Sequence, residues 1–253
     1  MLSFRRLALF GVPAVVAILA VLFAIWWFTI RSDAKLATSA PQIPDNLTSA
    51  SVTATATGTS SAASSGGTSP TSGGTAPTPG QPYTIVANQS SASYFVGEKL
   101  ASLSLPSTAK GTTGIQGTFG LDDDSLPAGT KFTVDLRGLK SDQDRRDQRV
   151  QAALQTSQYP DATFVSESVS GVPNPVPEGA EFDLKLTGKL TLHGVTKDVT
   201  WDVKAKKQGQ AISALATLKI NFSDYNITKP DIAGFVSVGD AATIQVSVVA
   251  TAA

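Results

Sequence analysis

The sequence contains no cysteine and only one histidine, His193. The missing cysteine excludes disulfide bridges, thiolate metal sites and a cysteine nucleophile. Any catalytic dyad or triad built on histidine must therefore use His193. This residue stands in Leu192-His193-Gly194-Val195, a stretch typical of a tight hairpin. We expect a turn residue whose ring hydrogen-bonds the local backbone, with a contact to a ligand as the alternative.

Excess charge of either sign is also missing: 20 Lys and Arg balance 20 Asp and Glu. The sequence thus has no basic footprint for nucleic acid, and it has neither a phosphate-binding glycine loop nor a metal-ligand cluster. The acidic run Asp122–Asp124 predicts a solvated turn, with binding of a hard cation as the alternative. The charged cluster 142–147 predicts an exposed, ion-paired helix face rather than acid/base chemistry. We predict a protein that is not an enzyme and has no cofactor and no metal.

Aromatic residues are absent between Phe28 and Tyr83. A segment without aromatics and with few aliphatics cannot bury enough apolar surface to offset its ordering entropy. Residues 38–82, rich in Ser, Thr, Ala, Gly and Pro, therefore predict a disordered linker. The globular part is expected to be one domain, residues 83–253, which is long enough to bury a core.

The N-terminal residues 1–37 predict a short cytoplasmic stub followed by a membrane anchor. Leu7 to Ile30 carries no charge, and as a helix it would extend roughly 36 Å, enough to cross a bilayer. Trp26 and Trp27 near its end suit the membrane interface. A cleaved signal peptide is the alternative, but its apolar core would run only about 7–15 residues. We expect an uncleaved single-pass anchor in the cell membrane, with the following domain on the extracytoplasmic side.

Alternation of apolar and polar residues dominates the segment after Tyr83. It runs through 131–139, 182–192, 199–206 and 244–248, with apolar side chains on one face and charged ones on the other. Such one-sided strands favour an antiparallel sheet. Gly188 falls in the apolar register and marks a bend or a close approach. Ser141–Leu154 predicts one short helix, with Ser141 and Asp144 as a capping box. Long strands, hairpins and a single helix fit a closed antiparallel barrel.

Four stretches resemble motifs of the YceI-like family. Lys189–Lys197 (KLTLHGVTK) is similar to its "LTIHGVTK" hairpin, and Arg146–Val150 to its helix motif "RD-x-H-L", with Arg149 at the usual histidine position. Tyr159–Phe164 matches "YP-x-A-T-F". The segment 222–227 (FSDYNI), followed by Val238-Gly239-Asp240, resembles the family's closing pattern. The resemblance extends over about 83–250.

This resemblance implies an eight-stranded antiparallel, lipocalin-like barrel that binds a polyisoprenoid-type lipid. We therefore expect a membrane-tethered binding or carrier protein for an apolar isoprenoid-type lipid or quinone. The alternative is a structural or interaction domain with a packed barrel and no ligand. Small inward residues, namely Gly188, Ala205, Ala214 and Ala216, leave room for a cavity. The inward residues expected to contact the ligand are Phe132, Val134, Leu184, Leu186, Trp201, Val203, Leu218 and Val246.

Overall fold

The computed structural model describes residues 34–48, 80–100, 105–229 and 236–252. Its ten strands are β1 (Gln81–Ile85), β2 (Ser91–Leu100), β3 (Leu105–Gly114), β4 (Thr118–Leu121), β5 (Lys131–Asp135), β6 (Asp161–Ser170), β7 (Glu181–Leu192), β8 (Val195–Gln208), β9 (Ala211–Asn221) and β10 (Val236–Ala252). A single helical turn, α1, spans Asp45–Thr48, and α2 spans Asp144–Ala153. Three short 3-10 helices lie at Ala87–Gln89, Leu136–Gly138 and Phe222–Tyr225. The predicted all-β domain with one short helix, α2, is confirmed, and the single turn α1 lies outside the predicted domain.

All strands belong to one antiparallel sheet with the order β3-β2-β10-β9-β8-β7-β6-β5. The small strand β1 pairs with the end of β10 and with β4. The predicted eight-stranded antiparallel sheet is therefore present, with β1 and β4 as an added branch. Chain neighbours from β5 to β10 are also sheet neighbours, as expected for strands joined by hairpins.

The sheet curls so that β3 lies beside the chain that follows β5. The Thr112 N–H donates to the Lys140 carbonyl at 2.7 Å, and the Lys140 N–H returns the bond to Thr112 at 2.9 Å. This pair joins β3 to the residues that follow β5, whereas a full strand ladder would have continued for several residues. The predicted closed barrel is thus observed as a curled eight-stranded sheet with β3 and β5 at its two ends, and Lys140, two residues after the 3-10 helix, joins to β3.

The hairpin between β7 and β8 follows the sequence prediction. His193 and Gly194 have φ of 51° and 74°, the left-handed pair that a two-residue type I′ turn requires. A Cβ on Gly194 would meet the Tyr159 ring at 2.7 Å, so glycine is needed here for space as well as for backbone conformation. The turn sets the register in which Leu192 pairs with Val195 and Leu186 pairs with Trp201.

The predicted capping box at the start of α2 is wrong. The helix begins at Asp144, and Gln143 at its N-cap makes no capping bond through its side chain. The Ser141 hydroxyl instead donates to Asp147 Oδ1 at 2.7 Å, and the Ser141 N–H donates to the same oxygen at 2.8 Å. Ser141 thus reaches past the first turn because the chain before α2 folds back over Asp147.

The apolar core lies inside the curl of the sheet. Its buried members come from β2, β6, β7, β8, β9 and β10, and Val150, Ala153 and Leu154 of α2 pack against it. The α2 helix therefore covers one end of the curled sheet, which we call the α2 end. Within the described ranges no helix is long and apolar enough to cross a membrane, and the predicted anchor at Leu7–Ile30 lies outside those ranges.

Candidate ligand-binding cavity

A cavity of about 540 Å³ lies inside the curled sheet. Its walls are mainly aliphatic and aromatic side chains from the inward faces of the strands, together with residues of α2. The volume falls in the range of sites that hold one small apolar molecule. Protein interiors normally pack about as densely as organic crystals and leave few voids larger than a water molecule. A space of this size is therefore not an ordinary packed core.

Seven of the eight predicted ligand contacts line this cavity: Phe132, Val134, Leu184, Leu186, Trp201, Val203 and Val246. Leu218 does not line it. Its side chain points inward but is buried in the apolar core cluster, where β9 pairs Leu218 with Ile244 of β10. Alternation correctly identified the inward face, but it cannot separate a residue that borders the cavity from one behind its neighbours.

Three of the four small inward residues, Ala205, Ala214 and Ala216, also line the cavity. Gly188 does not, because the Phe164 ring occupies the space above it. A Cβ on Gly188 would lie 2.7 Å from Phe164 Cζ and would overlap the Val165 carbonyl oxygen. Gly188 thus marks the place where β7 closely approaches the Phe164 ring. The Phe164 ring also packs edge-on against Trp201, with the ring centroids 6.0 Å apart.

Sequence reasoning missed the part of the lining that β2 and the β1–β4 branch supply. Ala92, Tyr94 and Val96 alternate inward along β2, and Phe119 on β4 stacks against Tyr83 with ring centroids 5.8 Å apart. The alternation in β2 was visible in the sequence. The four-residue strand β4 is too short to give such a signal.

The α2 end of the cavity carries charged side chains. Arg146, whose side chain is only 13% exposed, forms ion pairs with Asp142 and with Glu98 of β2, the latter at 3.4 Å. The prediction of a merely exposed, ion-paired helix face is therefore wrong for Arg146. Arg149 lines the same end and is exposed, and no ion pair to it occurs within the described ranges. Glu98 and Arg146 thus place charged side chains beside a space with mainly apolar walls.

Tyr94 brings a neutral polar group into the wall. Burial raises the pKa of its phenol to about 12, against the opposing influence of Arg146. The hydroxyl is therefore protonated at physiological pH and can donate a hydrogen bond.

Asp147 is the buried charge of α2. Burial raises the pKa of its carboxyl, but the hydrogen bonds from Ser141 and the charge of Lys140 outweigh burial, so the pKa lies below its ordinary value. The Lys140 ammonium is 3.5 Å from Asp147 Oδ2. Asp147 therefore fixes the chain that precedes α2.

The acidic run at the opposite end forms a turn, as predicted. Asp122 and Ser125 exchange two backbone hydrogen bonds around Asp123 and Asp124, both of which have positive φ. Asp124 is not simply solvated, because its carboxylate lies 2.5 Å from the Lys207 ammonium of β8. Asp124 lies in the loop between β4 and β5, and neither of these strands pairs with β8. The ion pair therefore connects two separate parts of the sheet at this end. Among the described residues no cluster of acidic or histidine side chains is arranged to hold a metal ion.

His193 is buried, and the prediction that it bonds the local backbone is wrong. Its Nδ1 lies 2.9 Å from the Tyr225 carbonyl oxygen, 32 positions along the chain. The edge of its ring meets Tyr159, with the centroids 4.9 Å apart. The hairpin, "YP-x-A-T-F" and "FSDYN" stretches therefore converge on one buried contact at the α2 end. These motif residues hold the sheet together there.

An antiparallel sheet curled around an apolar cavity is the architecture of small barrels that can hold one ligand. The chain belongs to the YceI-like domain family, whose model matches residues 83–250. The resemblance seen in the sequence is thereby confirmed.

Curated relatives match over part of their length. A UPF0312 protein of Pseudomonas putida is 33% identical over 118 residues, which is 43% of this chain and 58% of the relative. Protein YceI of Salmonella arizonae is 35% identical over 121 residues, or 44% of this chain and 59% of the relative. The chain thus spans somewhat less than two thirds of these relatives.

The solved structures that are similar to this chain include the following two. One is a polyisoprenoid binding domain from Saccharophagus degradans, with 16% identity and a TM-score of 0.49, covering 68% of this chain and 98% of the other. The other is BcnA of Burkholderia cenocepacia, with 21% identity and a TM-score of 0.49, covering 66% and 99%.

Proposed function

We propose that this protein is a membrane-tethered binding or carrier protein for an apolar isoprenoid-type lipid or quinone in an extracytoplasmic compartment. The observation that carries the proposal is the cavity of about 540 Å³ with predominantly apolar walls. A long apolar chain removed from water into such a space gains roughly 0.8 kcal/mol for each buried CH₂. Membership of the YceI-like family supports the same ligand class.

The distribution of polar groups favours an amphiphile over a pure hydrocarbon. Arg146, Arg149 and Gln143 line the α2 end, and Tyr94 offers a protonated hydroxyl in the wall. A ligand with an apolar tail and one polar head would place the tail among the strands and the head beside α2. A quinone carbonyl or a phosphate oxygen there would accept hydrogen bonds from Arg149.

The tether rests on the uncharged segment Leu7–Ile30, which lies outside the described residues. Its length suits a bilayer and exceeds the apolar core of a signal peptide. N-terminal sequencing of the membrane-extracted protein should therefore give a start before Leu7. A mature start beyond Ile30 would remove the tether from the proposal.

The ligand is tested first on the full-length protein extracted from membranes in mild detergent. Mass spectrometry of its organic extract should show an isoprenoid lipid or quinone in stoichiometric amount, absent from a mock extract of the same membranes. Protein that is folded yet free of lipid would favour the packed domain without a ligand.

A titration provides the second test. Trp201 is the only tryptophan after Trp27, and a bound quinone should quench its fluorescence because the ring lines the cavity. A full-length variant with Trp26→Phe and Trp27→Phe reports on Trp201 alone. A prenylated quinone should quench it saturably, and the same quinone without its prenyl chain should not. Equal quenching by both would contradict recognition of the apolar tail.

A further inference from the structure

Residues 34–48, which we call the strap, cross the outer face of the sheet. The Ala34 N–H donates to the Thr108 carbonyl of β3 at 3.3 Å. Farther along, the Ala37 N–H donates to Gln245 Oε1 at 2.9 Å, and Gln245 Nε2 donates back to the Ala37 carbonyl at 2.9 Å. The Gln245 side chain thus pairs with the strap backbone as a neighbouring strand would. These contacts lie within residues for which the sequence predicted an anchor and a free linker.

The strap continues across the sheet to β7. The Ala40 N–H donates to Glu181 Oε2 at 2.7 Å, and the Ala40 and Ile43 side chains are both buried. Leu215 of β9 points away from the cavity and is nevertheless only 3% exposed. It borders a space of about 400 Å³ between the sheet and Ala37. The strap therefore lies over the outer face of the sheet where Leu215 is shielded from water.

The strap has a direction relative to the two ends of the sheet. The Ala34 N–H bonds to Thr108 of β3, and Thr108 pairs with Gly97 of β2. Glu98, which follows Gly97 in the chain, forms an ion pair with Arg146 of α2. The strap thus begins near the α2 end. It finishes at the opposite end, where the Thr48 carbonyl lies against Gly209 in the turn between β8 and β9, 2.7 Å from the place a Cβ would take.

We propose that the strap orients the domain, presenting its α2 end to the membrane. This rests on the anchor of the proposed function, Leu7–Ile30. From Ile30 to Ala34 the chain covers at most about 14 Å however it is arranged, since each residue extends no more than about 3.3–3.6 Å. A free linker of about 44 residues would instead allow a root-mean-square reach of roughly 35–40 Å and no preferred orientation.

The orientation has a consequence for ligand transfer. Arg149, which is exposed, and Lys229 both line the cavity at the α2 end. Holding this end near the bilayer lets a lipid pass between membrane and cavity without crossing bulk water. The opposite end, bridged by Asp124 and Lys207, faces away from the membrane.

Docking of the strap is measured by amide hydrogen exchange on the full-length protein in detergent. The peptide 34–48 should be protected in the wild type. Ile43→Asp should remove the protection, because it places a carboxylate at a buried position of the strap. Gln42→Asp adds the same charge at an exposed neighbouring position and should keep the protection. Rapid exchange throughout the wild-type peptide would overturn the strap.

Orientation is measured by energy transfer in phosphatidylcholine vesicles that carry an acceptor on the lipid head group. Because the chain has no cysteine, Arg145→Cys on α2 and Gln210→Cys in the β8–β9 turn each give one labelling site. The ends of β8, 14 residues long, lie about 43 Å apart along the strand at about 3.3 Å per residue. Transfer from position 145 should therefore exceed transfer from position 210 severalfold, and Ile43→Asp should reduce the difference while Gln42→Asp keeps it.

The possible failures are separable. Protein that does not float with the vesicles overturns the proposed anchor and the orientation with it, while the exchange result in detergent still decides whether the strap is docked. Floating protein with a protected strap but equal transfer from both positions overturns the orientation alone. Stronger transfer from position 210 would show that the opposite end faces the membrane.

Discussion

Replacing Ala216 with tryptophan tests whether the interior of the sheet is a usable cavity. Ala216 lines the cavity between Val203 of β8 and Val246 of β10. A cavity of about 150 Å³ already accommodates a benzene ring, whereas this one measures about 540 Å³. An indole ring therefore needs only about a third of the space. We expect Ala216→Trp to change the free energy of unfolding by less than about 1 kcal/mol and to displace the ligand.

Ala211 on the same strand provides the matched control. It is 0% exposed and, by the alternation of β9, lies on the opposite face. With no cavity to receive the ring, Ala211→Trp should overpack and cost about 1–3 kcal/mol or more. For a domain of this size that lowers the thermal midpoint by about 2–4 °C per kcal/mol.

The assay is thermal unfolding followed by circular dichroism, together with mass spectrometry of the lipid that copurifies. Wild type and Ala211→Trp should retain lipid in their folded fractions, and Ala216→Trp should not. Equal losses of midpoint for the two variants, with no lipid on the wild type, would refute the argument from cavity volume.

Three further predictions concern residues around the cavity. Gly188→Ala should lower the free energy of unfolding by about 1–3 kcal/mol in a denaturant titration, because its Cβ would overlap a backbone carbonyl and a ring. The control Gly97→Ala has open space at the Cβ position and should be tolerated. Equal effects of the two substitutions would contradict the close approach at Gly188. His193→Asn should keep the fold at a cost of about 0.5–1.5 kcal/mol, the net worth of one hydrogen bond, since asparagine tolerates its positive φ; failure to fold by circular dichroism would show that more depends on this side chain. The lowered pKa of Asp147 contributes stability that is fully present above the unfolded value of about 4 and is lost as pH falls through the folded pKa. Asp147→Asn should therefore lower the midpoint at pH 7 and flatten its decline below pH 4, whereas the exposed Asp144→Asn should not; identical acid profiles would exclude this role.

Local patterns predicted most of the fold. The alternation in β7 and β8 identified both strands and their inward faces, because side chains in a strand have a period of two whatever the strand pairs with. The His193-Gly194 turn was equally readable, since a two-residue hairpin needs positive φ at both positions. Most of the predicted cavity lining follows from these two facts.

Contacts between distant residues were not readable in this way. The bond from His193 to the Tyr225 carbonyl and the reach of Ser141 to Asp147 depend on how separate segments meet. Composition indicated a linker at 38–82, yet 38–48 lies against the sheet and Gln81 and Pro82 belong to β1. A segment poor in apolar residues cannot fold alone, but a preformed face can bind it through its backbone.

The class of this domain, its strands, their inward faces and its family could all be predicted from the residues alone, because they depend on local periodicity and on motifs contiguous in the chain. The tertiary structure alone decided that the inward faces enclose a space, that Leu218 lies behind its lining, and that Phe164 fills the gap over Gly188. The physical reason is that an empty interior and a filled one need the same alternation. The difference between them is set by the curvature of the sheet and by the packing of side chains from strands far apart in sequence.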